Sequence, residues 1–581
     1  CHCARLFSFR ISMNLKKLKK KLLKQHNLHM DEKGLHYGEG PDAVRLMRAF
    51  KVLALCRATD GGILGVALGN NGRKCLVPMA AFRDPRKLAD YLETIGLVAP
   101  SDLKELKLVA KYVDKFARRL PRIAILSEGI HRVRHRGTDM FLAVIAGVVH
   151  GAGGLKVIPV LNARSVYASS GTLSEWNDVF LPMMAKNPLM LLSVCFALSA
   201  PLAVVLDFKP MGILIAGPSS TGKTTLGKLV ESCFQYPGDP HQWSATGNGM
   251  EALAVIYRDL PLVIDELGSG DAGAALAAIY RLSGGVTKAR ATRTGALQAS
   301  EVMRSPIFAT GEVTLQNHAN QAGVAMRAGH EARMPTIQVD ESYGVFSDIG
   351  KAADGAEFAA QVTVAMKAQY GTIMPAFIEA VLADVGKMQR RAAKIRKNCE
   401  AELAGCDLIT LSGLEKRVLD GFVNYAVAGE LAIRFKVLSL DRHVAIEAVG
   451  HIYQQWLKRW RASSNNVFDA PVTCLRSALK EVMNDFVPLK DWKDKGRKGT
   501  PGYTKTMPKE GNLFLLHRHV FERMCGPHGV EATVAALRHH GLLVTDKKAQ
   551  VKLFRMPGRE AGKDGDRMAF YAVREAILFD Q

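Results

Sequence analysis

A run of nine residues has the composition of a loop that binds phosphate. It fits the pattern G-x-x-x-x-G-K-[ST] and consists of Gly217, Pro218, Ser219, Ser220, Thr221, Gly222, Lys223, Thr224 and Thr225. The glycines let backbone N–H groups turn toward phosphates, and the helix expected to follow points its positive end at the same charge. We expect Lys223 to reach the β- and γ-phosphates and the Thr224 hydroxyl to bind Mg²⁺. The loop therefore predicts ATP and Mg²⁺ as cofactors.

Two acids at the end of a second apolar run could complete this site. Residues 260–266 read Leu-Pro-Leu-Val-Ile-Asp-Glu, and the chain between them and Lys223 has room for a helix and one further element. A carboxylate at the end of a buried strand suits Mg²⁺, so we expect Asp265 to hold the metal through water. Glu266 is the expected general base, which polarises the attacking water.

Further polar residues could act on the transferred phosphate. Residues 305–312 predict a short strand, and Thr310 near its carboxyl end is expected either to sense the γ-phosphate or to cap the strand. A guanidinium group suits the spread charge of a phosphoryl group in transfer, but each arginine here is also compatible with a plain surface position. The arginines considered for this role are Arg290, Arg293, Arg327 and Arg333.

The elements that must position these residues lie between residues 151 and 345. Apolar strand-like runs alternate there with helical segments, which is typical of a parallel sheet with both faces covered. Ligands of such sheets bind at the carboxyl ends of the strands, where the loop and the acids lie. The expected strands are Gly212–Ala216, Leu262–Ile264, Ile307–Ala309 and Thr336–Val339. The sequence therefore predicts an α/β P-loop ATPase domain over residues 151–345. Within it, Asn248 and Glu251 are spaced as a capping box for a helix over residues 249–257.

The flanks of this domain are predicted to form four further segments. Residues 1–34 read as a basic arm, and residues 35–150 as a small α+β domain with hairpin signals. Residues 346–465 are helical and basic. Residues 466–581 predict a winged-helix-like C-terminal domain with a basic linker rich in Gly, Pro and Lys over residues 490–509.

The chain of 581 residues carries a formal net charge of +23, which favours nucleic acid as a partner because cations near phosphates release condensed counterions. A run of charge is equally compatible with a solvated linker. The basic clusters are Lys387, Arg390, Arg391, Lys394, Arg396 and Lys397 in the helical segment, and Lys490, Lys493, Lys495, Arg497, Lys498, Lys505, Lys509, Lys547, Lys548 and Lys552 in the tail.

Cysteine usage and hydropathy argue against two other classes of protein. The ten cysteines form no C-x-x-C pair, so reduced thiols are expected rather than a disulfide framework or a zinc module. The apolar run Leu189–Leu206 is just long enough to cross a membrane, but Pro201 interrupts it. We expect a buried helix there, no membrane association and a cytoplasmic location.

Five motifs together resemble one family. They are G-x-S-S-x-G-K-T-T at 217–225, W-x-x-T-x-N-x-x-E-x-x-A at 243–254, D-E-L-G at 265–268, T-G-E at 310–312 and G-x-E-x-R at 329–333. This combination resembles the domain of unknown function 927 family over about residues 40–350. Members of that family are ATPases of plasmids, prophages and integrated islands, held to be helicase-like and often linked to primases.

The resemblance implies several properties that the spacing of the motifs does not give. It implies a RecA-like or AAA+-like core, a homo-oligomeric ring that is expected to be a hexamer, and a primase or replication initiator as a partner. It also makes Arg333 the best candidate for a finger donated to a neighbouring subunit. No primase-like region or zinc module precedes the ATPase motifs, so primase activity is not expected of this chain itself.

Two functions fit these observations. The favoured hypothesis is an ATP-hydrolysing DNA helicase or helicase-like replication ATPase of a mobile genetic element, which moves along single-stranded DNA. The alternative is an ATPase switch or scaffold without helicase activity, whose nucleotide state controls assembly. Stimulation of ATP turnover by DNA separates the two hypotheses.

Overall fold

The structure is a computed structural model, and it describes residues 27–58, 62–118, 120–135, 137–161, 165–244, 247–287, 301–324, 326–339, 342–405, 411–492, 500–546, 550–557 and 564–579. Most of the expected N-terminal arm, Arg290, Arg293, Lys547, Lys548 and the linker residues 493–499 lie outside these ranges. The chain forms two compact units, Cys1–Trp456 and Leu457–Gln581. Their boundary falls within the helix Val444–Val482, whereas the sequence analysis divides the chain at residue 466.

The N-terminal part of unit 1 is rich in strands. They are β1 (Leu28–Met30), β2 (Leu35–Tyr37), β3 (Val44–Met47), β4 (Lys51–Arg57), β5 (Ile63–Asn70), β6 (Arg73–Pro78), β7 (Pro121–Ile125), β8 (Gly129–His135), β9 (Thr138–Ile145), β10 (Val148–His150) and β11 (Val157–Pro159). They form sheets in the orders β1-β2-β3, β11-β7-β4-β5-β6 and β10-β9-β8. The turn between β5 and β6 is Asn71-Gly72, with φ of 45° and 80°, as a two-residue hairpin requires. The helices Pro85–Thr94 and Leu103–Ala117 pack beside the mixed sheet.

A parallel sheet carries the phosphate-loop residues. Its strands are β12 (Ile213–Ala216), β13 (His241–Gln242), β14 (Leu262–Asp265), β15 (Ile307–Gly311) and β16 (Thr336–Gln338), in the order β13-β14-β15-β12-β16. Every residue of β12 and β15 is buried, which is the pattern of strands covered on both faces. Because β15 lies between β12 and β14, its carboxyl end separates the phosphate loop from the acids.

Helices surround this sheet. Those within residues 151–345 are Leu173–Met184, Pro188–Val205, Lys223–Ser232, Gly247–Ile256, Ala272–Leu282, Leu315–Gln321 and the single turn Ala328–Glu331. Those of the helical segment are Gly355–Ala368, Ile373–Ala383, Val385–Ala404, Gly413–Arg434 and the first part of Val444–Val482. The helix Gly247–Ile256 begins one residue before Asn248, so the expected cap residue lies in the first turn of the helix and not before it. A Cβ on Gly247 would lie 2.4 Å from a guanidinium nitrogen of Arg281, so the packing favours glycine at this position.

The apolar helix Pro188–Val205 is buried in unit 1. Among the described residues it is the one helix long and apolar enough to cross a membrane, and 89% of it is buried inside the protein. It packs against the helix Gly413–Arg434, and its Phe196 contacts Phe308 of β15 and Tyr425 edge-on at 5.5 and 5.3 Å between ring centroids. Tyr425 in turn donates its hydroxyl hydrogen bond to the Met211 carbonyl at 2.8 Å. The helical segment and the parallel sheet therefore share one core.

Unit 2 combines a sheet with the second part of the helix Val444–Val482 and two shorter helices. Its strands are β17 (Val487–Pro488), β18 (Gly502–Met507), β19 (Gly511–Leu516), β20 (Leu543–Val544), β21 (Lys552–Pro557) and β22 (Asp564–Arg574). Their order is β17-β18-β19-β22-β20, and β21 forms a hairpin with β22. The helices Arg518–Met524 and Gly529–His539 come between β19 and β20. Phe521 of the first helix stacks on Tyr571 of β22 at 3.9 Å between ring centroids, so the helices and the sheet share a core.

A buried ion pair joins the N-terminal sheets to the parallel sheet. Asp259, 1% exposed, precedes β14 and accepts hydrogen bonds from Arg304 at 2.6 and 3.1 Å. The main chain of Ile130 in β8 completes the junction, because its N–H donates to Asp259 at 2.8 Å and its carbonyl accepts from Arg304 at 3.1 Å. Arg258 also pairs with Asp259, at 3.5 Å, so loss of the carboxylate would leave two guanidinium groups without their shared counter-charge.

We predict that Asp259→Ala lowers the free energy of unfolding by about 3–5 kcal/mol, the usual cost of breaking a buried ion pair from one side. Asp114→Ala is the matched control, because Asp114 pairs with Arg118 on the surface and should contribute less than about 1 kcal/mol. Denaturant unfolding of both variants measures the difference. Similar losses for the two aspartates would contradict a special role for the Asp259 junction.

Candidate functional site

The phosphate loop adopts a backbone that few sequences allow. Ser220 and Gly222 have φ of 60° and 87°, so consecutive N–H groups turn inward between β12 and the helix Lys223–Ser232. At Gly217 a Cβ would lie 2.8 Å from Val339, and at Gly222 it would lie 2.9 Å from Phe346. These contacts explain why glycine occupies both positions.

A second segment braces the loop from outside. The Val345 N–H donates a hydrogen bond of 2.8 Å to the Thr221 carbonyl. Gly344 has a φ of 77°, and a Cβ there would lie 2.4 Å from the same carbonyl oxygen. The loop conformation is therefore fixed by a tertiary contact as well as by its own glycines.

Lys223 lies inside the loop that it belongs to. Its ammonium group donates to the Pro218 carbonyl at 2.5 Å and to the Thr221 hydroxyl at 3.4 Å, and the residue is 8% exposed. Burial lowers the pKa of Lys223, and the nearby carboxylates of Glu312, Glu266 and Asp265 oppose that shift. A cation in a partly desolvated loop is placed to bind phosphate strongly.

The ends of three strands meet at Asp265. The Thr224 hydroxyl, after β12, donates to one carboxylate oxygen of Asp265 at 2.9 Å. The Thr310 hydroxyl, at the end of β15, donates to the other oxygen. Thr310 is 1% exposed, so its hydroxyl is committed to Asp265 and fixes the direction of that carboxylate. The structure thus brings together Thr224, Asp265 and Thr310, and of the two roles expected for Thr310 this geometry favours a structural one.

Glu266 stands at the edge of the same cluster. Its backbone is left-handed, with a φ of 59°, and its N–H donates to Asp265 at 3.0 Å. Its carbonyl accepts from the N–H and the hydroxyl of Ser269, at 2.9 and 2.8 Å. These bonds hold the main chain, while the side chain is exposed and close enough to Lys223 to affect it electrostatically.

Glu312 is a site residue to which the sequence analysis gives no role. It follows β15 directly, is exposed, and of the three carboxylates near Lys223 it has the largest electrostatic effect on that ammonium group. The signal was present in the T-G-E motif at 310–312. Only the position of β15 between β12 and β14 brings Glu312 to Lys223, and strand order cannot be deduced from the motif.

Arg333 is far from its own phosphate loop. It precedes β16, and its carbonyl accepts from the N–H of Gly212, which precedes β12, at 2.8 Å. The loop follows the opposite end of β12, and four residues of strand span ~13 Å. Arg327 is exposed in the same region, and Arg290 and Arg293 lie outside the described residues. Within one chain, therefore, neither Arg327 nor Arg333 is joined to the cluster around Asp265 by any described contact.

The remaining acid of the G-x-E-x-R motif is structural. Glu331 is buried and accepts hydrogen bonds from the Trp456 indole at 2.9 Å and the Thr336 N–H at 3.0 Å. Burial raises the pKa of Glu331, and the two donors oppose that shift. The motif thereby ties the turn before β16 to the last long helix of unit 1.

The cluster fits Mg²⁺-ATP by its donor set. A hydroxyl and a carboxylate, Thr224 and Asp265, lie within one hydrogen bond of each other beside an inward-turned loop, and oxygen ligands of this kind are those Mg²⁺ prefers. The Lys223 ammonium group, satisfied by a loop carbonyl, supplies the charge that phosphates need. The residues expected for nucleotide and metal are thus placed where such a ligand would bind.

Comparisons with known proteins give one family and one fold. Residues 57–302 match the model of a family described as a domain of unknown function (DUF927), a range that includes the phosphate loop and the Asp265–Glu266 pair but ends before Thr310. A solved structure described as SCCmec type IV Cch, an active helicase, is similar with a TM-score of 0.66 and 19% identity. The similarity covers 95% of this chain and 98% of that one, and at this identity it shows the fold alone. No curated protein matches the sequence.

We predict that Thr310→Val, which keeps the shape of the side chain and removes the hydroxyl, raises the Mg²⁺ concentration needed for half-maximal ATP turnover by about tenfold. The loss of one hydrogen bond to a charged group has about this size. Thr310→Ser keeps the hydroxyl and should stay within about twofold of the wild type. Mg²⁺ titrations at saturating ATP make the comparison. An unchanged Mg²⁺ requirement in Thr310→Val would mean that the hydroxyl does not orient Asp265.

Proposed function

We propose that this chain, whose residues 57–302 belong to the domain of unknown function 927 family, is an ATP-hydrolysing DNA helicase or helicase-like replication ATPase of a mobile genetic element. The observation that carries the proposal is the meeting of Thr224, Asp265 and Thr310 beside Lys223 and its loop. The similarity in fold to a helicase structure over nearly the whole of both chains supports it.

The proposed mechanism assigns one task to each group in the cluster. The loop N–H groups and Lys223 hold the β- and γ-phosphates, and Thr224 and Asp265 hold Mg²⁺, directly or through water. The metal, when bound, neutralises charge on the phosphate oxygens. Thr310 keeps the Asp265 carboxylate oriented. The Glu266 carboxylate accepts the proton of the attacking water, since its side chain is exposed beside Lys223 and its backbone is fixed.

The proposed core is RecA-like or AAA+-like, and its working form is a homo-oligomeric ring. The position of Arg333 supports an oligomer, because a guanidinium at the amino edge of the sheet cannot reach a nucleotide at the carboxyl edge of the same chain. In a ring, one subunit can present its amino edge to the nucleotide of the next. Arg333 would then stabilise the charge that spreads over the transferred phosphoryl group.

DNA stimulation is the experiment that tests the proposed function. ATP turnover should rise several-fold with single-stranded DNA, and a forked duplex should be unwound only when ATP and Mg²⁺ are present. Lys223→Ala should lose both activities, because it removes the cation from the β- and γ-phosphates. If DNA does not change the rate of ATP turnover and the duplex is not unwound, the alternative of a nucleotide-controlled switch or scaffold is favoured.

Two acids compete for the role of general base, and paired variants separate them. We predict that Glu266→Gln lowers kcat by at least ~100-fold, the lower range for loss of a general base, while ATP still binds. Glu312→Gln removes the neighbouring charge from Lys223 and should lower kcat by less than about tenfold. Single-turnover hydrolysis and ATP binding, measured for both variants, show which acid is the general base. The reverse order of effects would transfer the role of base to Glu312.

The DNA-binding surface is proposed to lie in unit 2. There a strand and two helices are followed by the β21–β22 hairpin, the arrangement expected of a winged-helix-like domain. A groove of about 660 Å³ in this unit is lined by Lys490, Lys505 and Arg555 together with polar side chains such as Thr504. Glu575 and apolar side chains also line the groove, and the three cations outnumber this one acid. An excess of cations suits a phosphate backbone that is bound without regard to sequence.

A second basic surface lies on the helix Val385–Ala404 of unit 1. Lys387, Arg390, Lys394 and Lys397 are exposed and spaced along one face of the helix. Arg396 on the same helix forms ion pairs with Glu400 and Asp420, so its charge is already compensated within the protein. This exposed face is the natural comparison for the groove of unit 2, because it has a similar number of cations in a different unit.

We predict that replacing Lys490, Lys505 and Arg555 together by alanine weakens the salt dependence of single-stranded DNA binding. Each lost phosphate contact should reduce the log–log slope by ~0.7, so the slope should fall by about 2. Replacing Lys387, Arg390, Lys394 and Lys397 by alanine should leave the slope nearly unchanged. Fluorescence anisotropy over a range of salt measures both variants. A slope reduced only in the unit 1 variant would move the DNA surface to that helix.

A further inference from the structure

The guanidinium group of Arg333 is held against an aromatic ring. Its Cζ lies 4.2 Å from the centroid of the Tyr280 ring, and Nη1 donates to the Gly329 carbonyl at 2.8 Å. The main chain of Arg333 is fixed as well, because its N–H donates to the His330 carbonyl at 3.0 Å. A long and flexible side chain is therefore confined by contacts within its own chain.

The ring that holds Arg333 is itself confined. Tyr280 lies near the end of the helix Ala272–Leu282, and His330 packs edge-on against it with 4.5 Å between ring centroids and an angle of 87°. A Cβ on Gly329 would lie 2.2 Å from the Tyr280 hydroxyl oxygen and 3.0 Å from Nη1 of Arg333. Tyr280, Gly329, His330 and Arg333 thus form one packed group, named here the Tyr280 cluster.

The Tyr280 cluster stabilises the positive charge of Arg333 and disfavours a second positive charge on His330. The negative face of an aromatic ring attracts a guanidinium group, most strongly where water is partly excluded. Burial and the neighbouring Arg333 charge lower the pKa of His330, although a hydrogen bond with Arg327 opposes this. The lowered pKa favours the neutral imidazole, which packs against Tyr280 without adding a second positive charge beside the guanidinium.

We infer that Tyr280 is a positioning residue for Arg333, which holds its guanidinium ready for the nucleotide of a neighbouring copy of this chain. The inference rests on the proposed function, in which Arg333 acts on a second subunit. Arginine has many rotamers, and fixing one of them before subunits meet removes that entropic cost from the reaction. Tyr280 does not itself reach the reacting atoms.

Kinetics of Tyr280 variants give the first test. Tyr280→Leu removes the aromatic face and should lower kcat by about tenfold, with KM for ATP within about twofold of the wild type, in line with the loss of one cation–π contact. Tyr280→Phe keeps the face and should retain most of the activity. A fall in activity shared equally by the Leu and Phe variants would contradict the inference.

Chemical labelling of Arg333 gives a test that does not depend on activity. A phenylglyoxal reagent modifies accessible guanidinium groups, and mass spectrometry of peptides can follow Arg333 with the exposed Arg327 as an internal reference. Relative to Arg327, the rate at Arg333 should rise several-fold in Tyr280→Leu and stay unchanged in Tyr280→Phe. Equal labelling rates in wild type and Tyr280→Leu would show that the ring does not hold the guanidinium.

A rescue experiment guards against simple misfolding. Gly329→Ala places a methyl group against the Tyr280 hydroxyl, so it should displace the ring and lower kcat as Tyr280→Leu does. The double variant Gly329→Ala/Tyr280→Phe removes the closest clashing atom and leaves Nη1 of Arg333 at 3.0 Å and the ring carbon at 3.2 Å, so only part of the activity should return. Thermal unfolding should show that both variants are folded. If they are folded and the double variant recovers no activity, the proposed packing is contradicted.

Mixed assemblies identify the subunit in which Tyr280 acts. Lys223→Ala chains cannot bind ATP productively but keep Arg333, whereas Arg333→Ala chains keep an intact phosphate loop. Mixing the two should restore ATP turnover at sites where Arg333 of the first chain meets the loop of the second. Adding Tyr280→Leu to the Lys223→Ala chain should reduce this recovery, whereas adding it to the Arg333→Ala chain should not.

The variants distinguish an error in the role of Tyr280 from an error in the proposed function of Arg333. If Arg333→Ala alone hydrolyses ATP at the wild-type rate, then Arg333 is not a finger and the role of Tyr280 falls with it. If Arg333→Ala is inactive while Tyr280→Leu keeps its kcat and its labelling rate, the finger stands and only the inference about Tyr280 is overturned.

Discussion

The hydrogen bond between Thr224 and Asp265 joins the ends of two strands that are not neighbours in the sheet. β12 carries the loop, β14 carries the acids, and β15 separates them. The bond can form only because all three strands are parallel and end at one edge, and because Thr310 at the end of β15 donates to the same carboxylate. The candidate site is thus a property of the sheet rather than of any one motif.

The rest of unit 1 keeps those strand ends in register. The helix Pro188–Val205 presents Phe196 to Phe308 of β15 and to Tyr425 of the helix Gly413–Arg434, so the helical segment is continuous with the sheet's core. At the opposite edge, the main chain of Arg333 pairs with Gly212 just before β12. The same strand therefore links the loop at one end to the Arg333 guanidinium at the other.

The sequence predicts the parts of this arrangement that are encoded locally. The loop, the acid pair and the strands that carry them follow from short patterns of glycine, apolar and polar residues. The parts that it does not predict depend on residues far apart in the chain. Glu312 reaches Lys223 through strand order, and Tyr280 reaches Arg333 through the packing of a helix on a turn some fifty residues later.

Binding of ATP measures the central claim most directly, because it requires the assembled strand ends and nothing from DNA or a partner. Isothermal titration calorimetry in Mg²⁺ should show one ATP per chain in the wild type and in Arg333→Ala. Lys223→Ala and Asp265→Asn should each weaken binding by at least about tenfold, the effect of losing one charge-assisted contact. Equal affinity in the wild type and in Lys223→Ala would contradict the account, because the loop would then not be the nucleotide site.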